Sequence, residues 1–276
     1  MLKITGLTKR FDNFELGPAD FSLPRGYIMG LIGANGAGKT TIIKLILNML
    51  EPDGGEIKLF GKDNIAEESE VKQHLGVVFD NNMFVDAWTV KDIGKALSGF
   101  YRFWDDRKFS ALLKRFELPD NKPVKDFSRG MQMKLMLAAA MAHDAKLLIL
   151  DEPTSGLDPS ARDMLMEILL EYIADGAHSV LFSTHITSDL ERIADYITFV
   201  DSGKLLYTGS KDEFVDGMRA VKGGPGDLTP ELKSKLIGLR SHAQGFEGLI
   251  RAGDARLFGG LIIEPVSIDE IMVYTG

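Results

Sequence analysis

Residues 33–40 read Gly33-Ala34-Asn35-Gly36-Ala37-Gly38-Lys39-Thr40 and match the pattern G-x-x-x-x-G-K-[ST] at every fixed position. Such a run binds phosphate when a strand precedes it and a helix follows, and the flanking sequence predicts both. Tyr27 to Ile32 is a short apolar run behind the turn-forming Pro24-Arg25-Gly26, which suits a buried strand. Ile42, Ile43, Leu45, Ile46, Met49 and Leu50 then recur at helical spacing around Lys44 and Asn48. Gly33, Gly36 and Gly38 let backbone N–H groups converge on phosphate oxygens with no Cβ in the way, and the helix N-terminus adds partial positive charge. Lys39 supplies a full charge for the β- and γ-phosphates, and the Thr40 hydroxyl is placed to ligate Mg²⁺.

A chain of 276 residues is long enough for one large α/β domain or for a domain with a small appendage. Its net charge of −8 argues against a broadly basic nucleic-acid surface. With no cysteine, disulfides and thiolate metal sites are excluded, as suits a cytoplasmic protein. The opening Met1-Leu2-Lys3-Ile4-Thr5-Gly6 lacks the pattern of a signal peptide, and no apolar run approaches the roughly 18 residues of a membrane-spanning helix. Any membrane role is therefore expected to come through a partner chain.

Further along, residues 2–7 and 14–23 read as two strands joined by a polar turn at 8–13. Phe11 is a large aromatic in that turn; it either caps the core or stacks on a nucleobase. Strands are predicted at 56–60 and 75–79, with a helix at 67–74 between them, and Asp80 follows the second strand where ligands bind in α/β sheets. From about 84 to 145 the pattern is helical and aromatic. Most of Trp88, Phe100, Tyr101, Phe103, Trp104, Phe109 and Phe116 are expected in the core of a helical subdomain, the remainder forming a groove for a partner's helix. Met131, Met133, Met136 and Met141 are expected to pack.

Leu147 to Leu150 is a wholly apolar strand ending in Asp151 and Glu152. Asp151 is placed to hold Mg²⁺ opposite the phosphate loop, and Glu152 to polarise an attacking water. A tight loop at 154–159 precedes a helix at 160–174 and a strand at 179–183, after which His185 stands at the same sheet edge. A helix at 187–195 and strands at 196–201 and 204–208 complete the unit. The run Gly223-Gly224-Pro225-Gly226-Asp227 sets a boundary near 220, beyond which short strand pieces such as 260–264 and a final helix at 268–274 make a small appendage.

In this order the elements resemble the ATP-binding cassette (ABC) ATPases over about residues 1–215. The resemblance rests on Gly33 to Thr40 (Walker A), Leu147 to Glu152 (Walker B and the catalytic Glu), Ser155 to Asp158 (the D-loop) and His185 (the switch His). Phe127-Ser128-Arg129-Gly130-Met131 occupies the place of the signature Leu-Ser-Gly-Gly-Gln. The resemblance implies a P-loop NTPase core: a mixed sheet with an N-terminal antiparallel β subdomain (1–220 overall), a helical subdomain, and a small C-terminal extension (221–276). It also implies a head-to-tail dimer with two ATP molecules at the interface. Nucleotide contacts would come from Phe11, Gly33, Asn35, Gly36, Gly38, Lys39, Thr40, Thr41 and Asp158, with Ser128 and Gly130 donating to the γ-phosphate of the opposite site. Thr40, Asp80 and Asp151 would hold Mg²⁺, and Glu152 and His185 would be catalytic.

Two motifs depart from the family pattern. Asp80 stands where the family's Q-loop has Gln, and in the signature Arg129 replaces Gly and Met131 replaces Gln. The expected function is the ATPase subunit of a membrane transporter, an exporter in preference to an importer. It would work as a homodimer or beside a sister subunit at the cytoplasmic face of a membrane, on a separate transmembrane permease, without nucleic acid. The alternatives are an ATP-dependent dimer switch without turnover, motivated by the two departures, and a soluble ABC ATPase acting on ribosomes or DNA. Retention of Lys39, Asp151, Glu152 and His185 opposes the first; a single cassette and the acidic charge oppose the second.

Overall fold

The computed structural model describes residues 1–275. Strands β1 (Leu2–Phe11) and β2 (Phe14–Leu23) form a hairpin closed by the pair Phe11 and Phe14. β1 thus runs through residues 8–11, where the sequence predicts a turn. Lys9 pairs there with Asp53 and Arg10 with Glu15 on β2, so these polar residues are partnered across the fold and not left in a turn. β3 (Ile28–Ile32) leads to helix α1 (Lys39–Ile46). β4 (Gly54–Leu59) and the short β5 (Lys62–Asp63) join the hairpin in an antiparallel sheet of order β2-β1-β4-β5.

Helix α2 (Glu68–Lys72) and strand β6 (Leu75–Val78) precede three helices, α3 (Val90–Ser98), α4 (Asp106–Arg115) and α5 (Arg129–Met141). Each of the three starts on a side-chain cap that satisfies otherwise unpaired N–H groups: Thr89 in a capping box with Asp92, then Asp105, then Ser128. β7 (Leu147–Asp151) is followed by α6 (Pro159–Ile173), which Asp158 caps with Pro159 in the first turn. β8 (Ser179–Thr184), α7 (Thr187–Ile193), β9 (Tyr196–Asp201), β10 (Lys204–Ser210) and α8 (Lys211–Asp216) follow.

The central sheet has the order β10-β9-β3-β8-β7-β6, parallel except for β10. Its inner strands β3, β7 and β8 are buried along their whole length because both faces are covered. Met29, Leu31, Ile149 and Leu181 face α1 and the N-terminal sheet, whereas Ile28, Ile32, Leu148, Leu150 and Phe182 face the layer of helices. Phe109, Phe116, Met133, Met136 and Met141 are buried in that layer, but Phe100 (75% exposed) and Phe103 (53%) are not.

The C-terminal residues form more than short pieces. β11 (Met218–Gly223), α9 (Pro230–Lys235), β12 (Ile237–His242), β13 (Gly245–Arg251) and β14 (Ile262–Glu264) make an antiparallel sheet of order β12-β13-β11-β14. It has its own buried cluster of Val221, Phe246, Ile250 and Phe258. The sheet opens at Met218, so the glycine run 223–227 lies inside this unit, between β11 and α9. Helix α10 (Ile268–Thr275) returns to the main core through Ile268 and Ile271. Among the described residues no helix is long and apolar enough to cross a membrane.

Candidate active site

Parallel register builds the site. Leu31 and Asp151 both pair with Ser183 from opposite sides, and Ile32 pairs with Thr184, so β3, β8 and β7 end in one row. Gly33, Glu152 and His185 leave from that row in adjacent loops. Gly33 is there because a Cβ would come within 2.2 Å of the Val200 carbonyl, at a φ of 155°. The loop then rises through exposed Asn35 and Gly36 and returns at Gly38 to start α1, with Thr41 half-buried in its first turn.

Lys39 is buried, and its ammonium donates to the carbonyls of Gly33 (2.8 Å) and Ala34 (3.2 Å). The same nitrogen lies 3.2 Å from Glu152 Oε1. Among the described residues no hydrogen bond reaches that oxygen, so the ion pair alone holds it. The other oxygen, Oε2, accepts from His185 Nδ1–H at 2.8 Å. Thr40 Oγ1 donates to Asp151 Oδ1 at 3.3 Å. One buried hydroxyl completes the group: Ser183 Oγ donates to Asp151 Oδ1 at 2.6 Å and accepts from the Glu152 N–H at 3.1 Å. It thereby fixes both acids at once, with Glu152 held at a φ of 50°. Sequence reasoning missed Ser183; the signal was a hydroxyl residue at the C-terminal end of β8, in register with Asp151.

Phe11, at the hairpin tip, is 44% exposed and lies 6.1 Å from the Phe14 ring, which itself covers Gly38. The β9–β10 turn pins the hairpin to the phosphate loop. There Gly203 N–H donates to the Ala37 carbonyl at 2.9 Å, and Gly17 N–H donates to the Gly203 carbonyl at 2.8 Å. An aromatic face is thus presented beside the loop without depending on the core for its position.

The structure therefore brings Gly33, Lys39, Thr40, Asp151, Glu152 and His185 together, with Asn35, Gly36, Gly38 and Thr41 in the same loop and Phe11 at its side. Ser128, Gly130 and Asp158 stand apart. Ser128 caps α5 by accepting from Met131 N–H (3.3 Å), and Asp158 caps α6 by accepting from Ala161 N–H (2.9 Å). No hydrogen bond or ion pair among the described residues links these three to Lys39, Glu152 or His185. Asp80, expected at the metal, is paired with Arg129.

The donor set suits Mg²⁺. It offers one carboxylate and one hydroxyl, both hard oxygen ligands, and no cluster of three or more His, Asp or Glu exists among the described residues to form a separate cage. Magnesium held by one carboxylate together with substrate phosphates has this character.

The family model described as "ABC transporter" matches residues 16–155, half of the chain. The chain belongs to the ABC transporter family. The ABC transporter ATP-binding protein NatA of Bacillus subtilis (strain 168) is 30% identical over 249 residues, covering 86% of this chain and 98% of NatA. A Nod factor export ATP-binding protein I from Cupriavidus pinatubonensis is 34% identical over 227 residues, covering 78% of this chain and 68% of its own. Among solved structures, the ATP-binding subunit of an ABC transporter superposes with a TM-score of 0.72 at 28% identity, over 77% of this chain and 91% of that one. In family terms, this ABC chain is an ATP-binding component, with the antiparallel β subdomain, mixed sheet and helices of a cassette.

Proposed function

We propose that this ABC protein hydrolyses ATP to power an exporter, and that two copies, or one copy and a sister subunit, close head to tail around two nucleotides. The observation that carries the proposal is the meeting of Lys39, Glu152 and His185 at one sheet edge beside Thr40 and Asp151. In the described arrangement Lys39 and His185 both hold Glu152. Entering phosphates compete for Lys39, which frees Glu152 Oε1 to accept a proton from an attacking water. Nδ1–H on Glu152 orients the ring of His185, and Nε2, when it carries a proton, donates to the γ-phosphate. Thr40 and Asp151 would hold Mg²⁺, which when bound neutralises charge developing on the phosphates. Phe11 stacks on the adenine.

Ser128 and Gly130 act from the opposite chain. At the first turn of a 13-residue helix, their N–H groups and the helix dipole suit a γ-phosphate arriving in trans. Asp158 starts α6 on the same side. Export is favoured because several of the relatives carry that word in their names. The chain would sit at the cytoplasmic face of a membrane on a separate permease subunit.

The test is ATP turnover with Glu152→Gln as the control. That variant is expected to bind ATP, to accumulate as a dimer in sedimentation, and to hydrolyse about 10²–10⁴-fold more slowly, the usual worth of a general base. Turnover equal to that of the unaltered chain would remove Glu152 from the chemistry.

A further inference from the structure

The two departures from the family pattern meet in space. Asp80, just past the end of β6, and Arg129, the first residue of α5, form an ion pair although 49 positions separate them. Arg129 touches a third loop as well. A Cβ on Gly156 would lie 3.0 Å from Arg129 Cδ and Nε and 3.3 Å from Cζ, so the guanidinium and its stem run along the backbone of the loop after β7. Gly156 has a φ of 71°, which keeps that surface flat and free of a side chain. Next to this contact, Leu157 is the neighbour nearest to Gly130.

An arginine at the first position of a helix opposes the helix dipole, and a carboxylate there suits it. Asp80 therefore answers two mismatches, neutralising Arg129 and restoring negative charge beside the start of α5. The carboxylate engaged in this way is held by the guanidinium, and among the described residues no hydrogen bond links it to Thr40 or Asp151.

We infer that Arg129 is a positioning residue that fixes the signature end of α5 to the ends of β6 and β7, with Asp80 as its counter-ion and not a metal ligand. The inference rests on the proposed ATP-driven dimer, because it is the presentation of Ser128 and Gly130 to the opposite chain that the pair sets. Losing either partner loosens that presentation while leaving the phosphate loop intact.

The experiment measures ATP-dependent dimerisation in the Glu152→Gln background by sedimentation, together with the Mg²⁺ concentration at half-maximal nucleotide binding. Asp80→Asn and Arg129→Gln are each expected to weaken dimerisation about two- to five-fold, the range of a half-exposed ion pair. The double variant should be no weaker than either single one, the exchanged pair Asp80→Arg/Arg129→Asp should recover, and the Mg²⁺ midpoint should not move. A tenfold rise in the Mg²⁺ midpoint with Asp80→Asn alone would make Asp80 a metal ligand and overturn the inference. So would tighter dimerisation with Asp80→Asn, since Arg129 would then be a phosphate ligand that Asp80 restrains. Absence of ATP-dependent dimerisation in the unaltered chain would sink the proposed function instead. The pairing is then read without nucleotide, by hydrogen exchange of the amides of residues 128–133: faster exchange in both single variants sustains it, and unchanged exchange overturns it.

Discussion

Replacing Ser183 by alanine removes one buried oxygen and leaves the sheet otherwise intact. That oxygen donates to the carboxylate of Asp151, which is 5% exposed, across 2.6 Å. Hydrogen bonds to charged groups are worth about 1.5–3 kcal/mol, and burial puts this one within that range. Two compensations hold the loss near the lower half. Glu152 N–H keeps the Ser183 backbone carbonyl at 3.1 Å, so no donor is orphaned, and Thr40 still donates to Asp151. Ser183→Ala is therefore expected to destabilise the chain by about 2 kcal/mol. Urea unfolding reads this as a lower midpoint at unchanged slope. Activity should fall more steeply than stability at assay temperature, because the same hydroxyl sets both acids. A change under about 0.5 kcal/mol, the size of an ordinary surface substitution, would refute the reasoning that Ser183 holds Asp151 and Glu152 in place.

Phe11→Ala should raise the dissociation constant for ATP by about 5- to 150-fold, corresponding to about 1–3 kcal/mol for a stacked base. Its effect on unfolding should be small, since the ring is exposed; an unchanged affinity in a fluorescent-nucleotide titration would return Phe11 to a packing role. His143 donates from Nε2–H to the Leu75 carbonyl at 3.0 Å and stacks on Tyr101, and burial pushes its imidazole below the ordinary value of 6.5. The unfolded chain then binds a proton that the folded chain refuses, so stability present above pH 6.5 is lost as pH falls toward the depressed folded value. Urea midpoints between pH 7.5 and about 5 should show this fall, and His143→Phe should flatten it; parallel curves would contradict the assignment.

The chemistry-bearing loops were legible because their residues are local. Gly33 to Thr40 is contiguous, and the wholly apolar β7 announces a buried parallel strand with its acids at the end. Contacts made by pairing across the fold were not legible. Lys9 and Arg10 look like turn residues until Asp53 and Glu15 are seen opposite them, and nothing in sequence links Asp80 to Arg129. The C-terminal sheet escaped for another reason. Its strand β12, Ile-Gly-Leu-Arg-Ser-His, is mostly exposed, so the apolar signal of a core strand is weak. Only the pairing of β13 with β11 and β12 gathers Val221, Phe246 and Ile250 into a core.

Assembly of each site from two chains is tested most directly by complementation. Lys39→Ala spoils a chain's own phosphate loop and leaves its signature intact; Ser128→Arg does the reverse. Each purified variant alone should lack ATP turnover, and mixing them should restore it, because one site of the mixed dimer joins an intact loop to an intact signature. Failure of the mixture to exceed either variant, with both folded and the unaltered chain active, would contradict a nucleotide site shared between subunits.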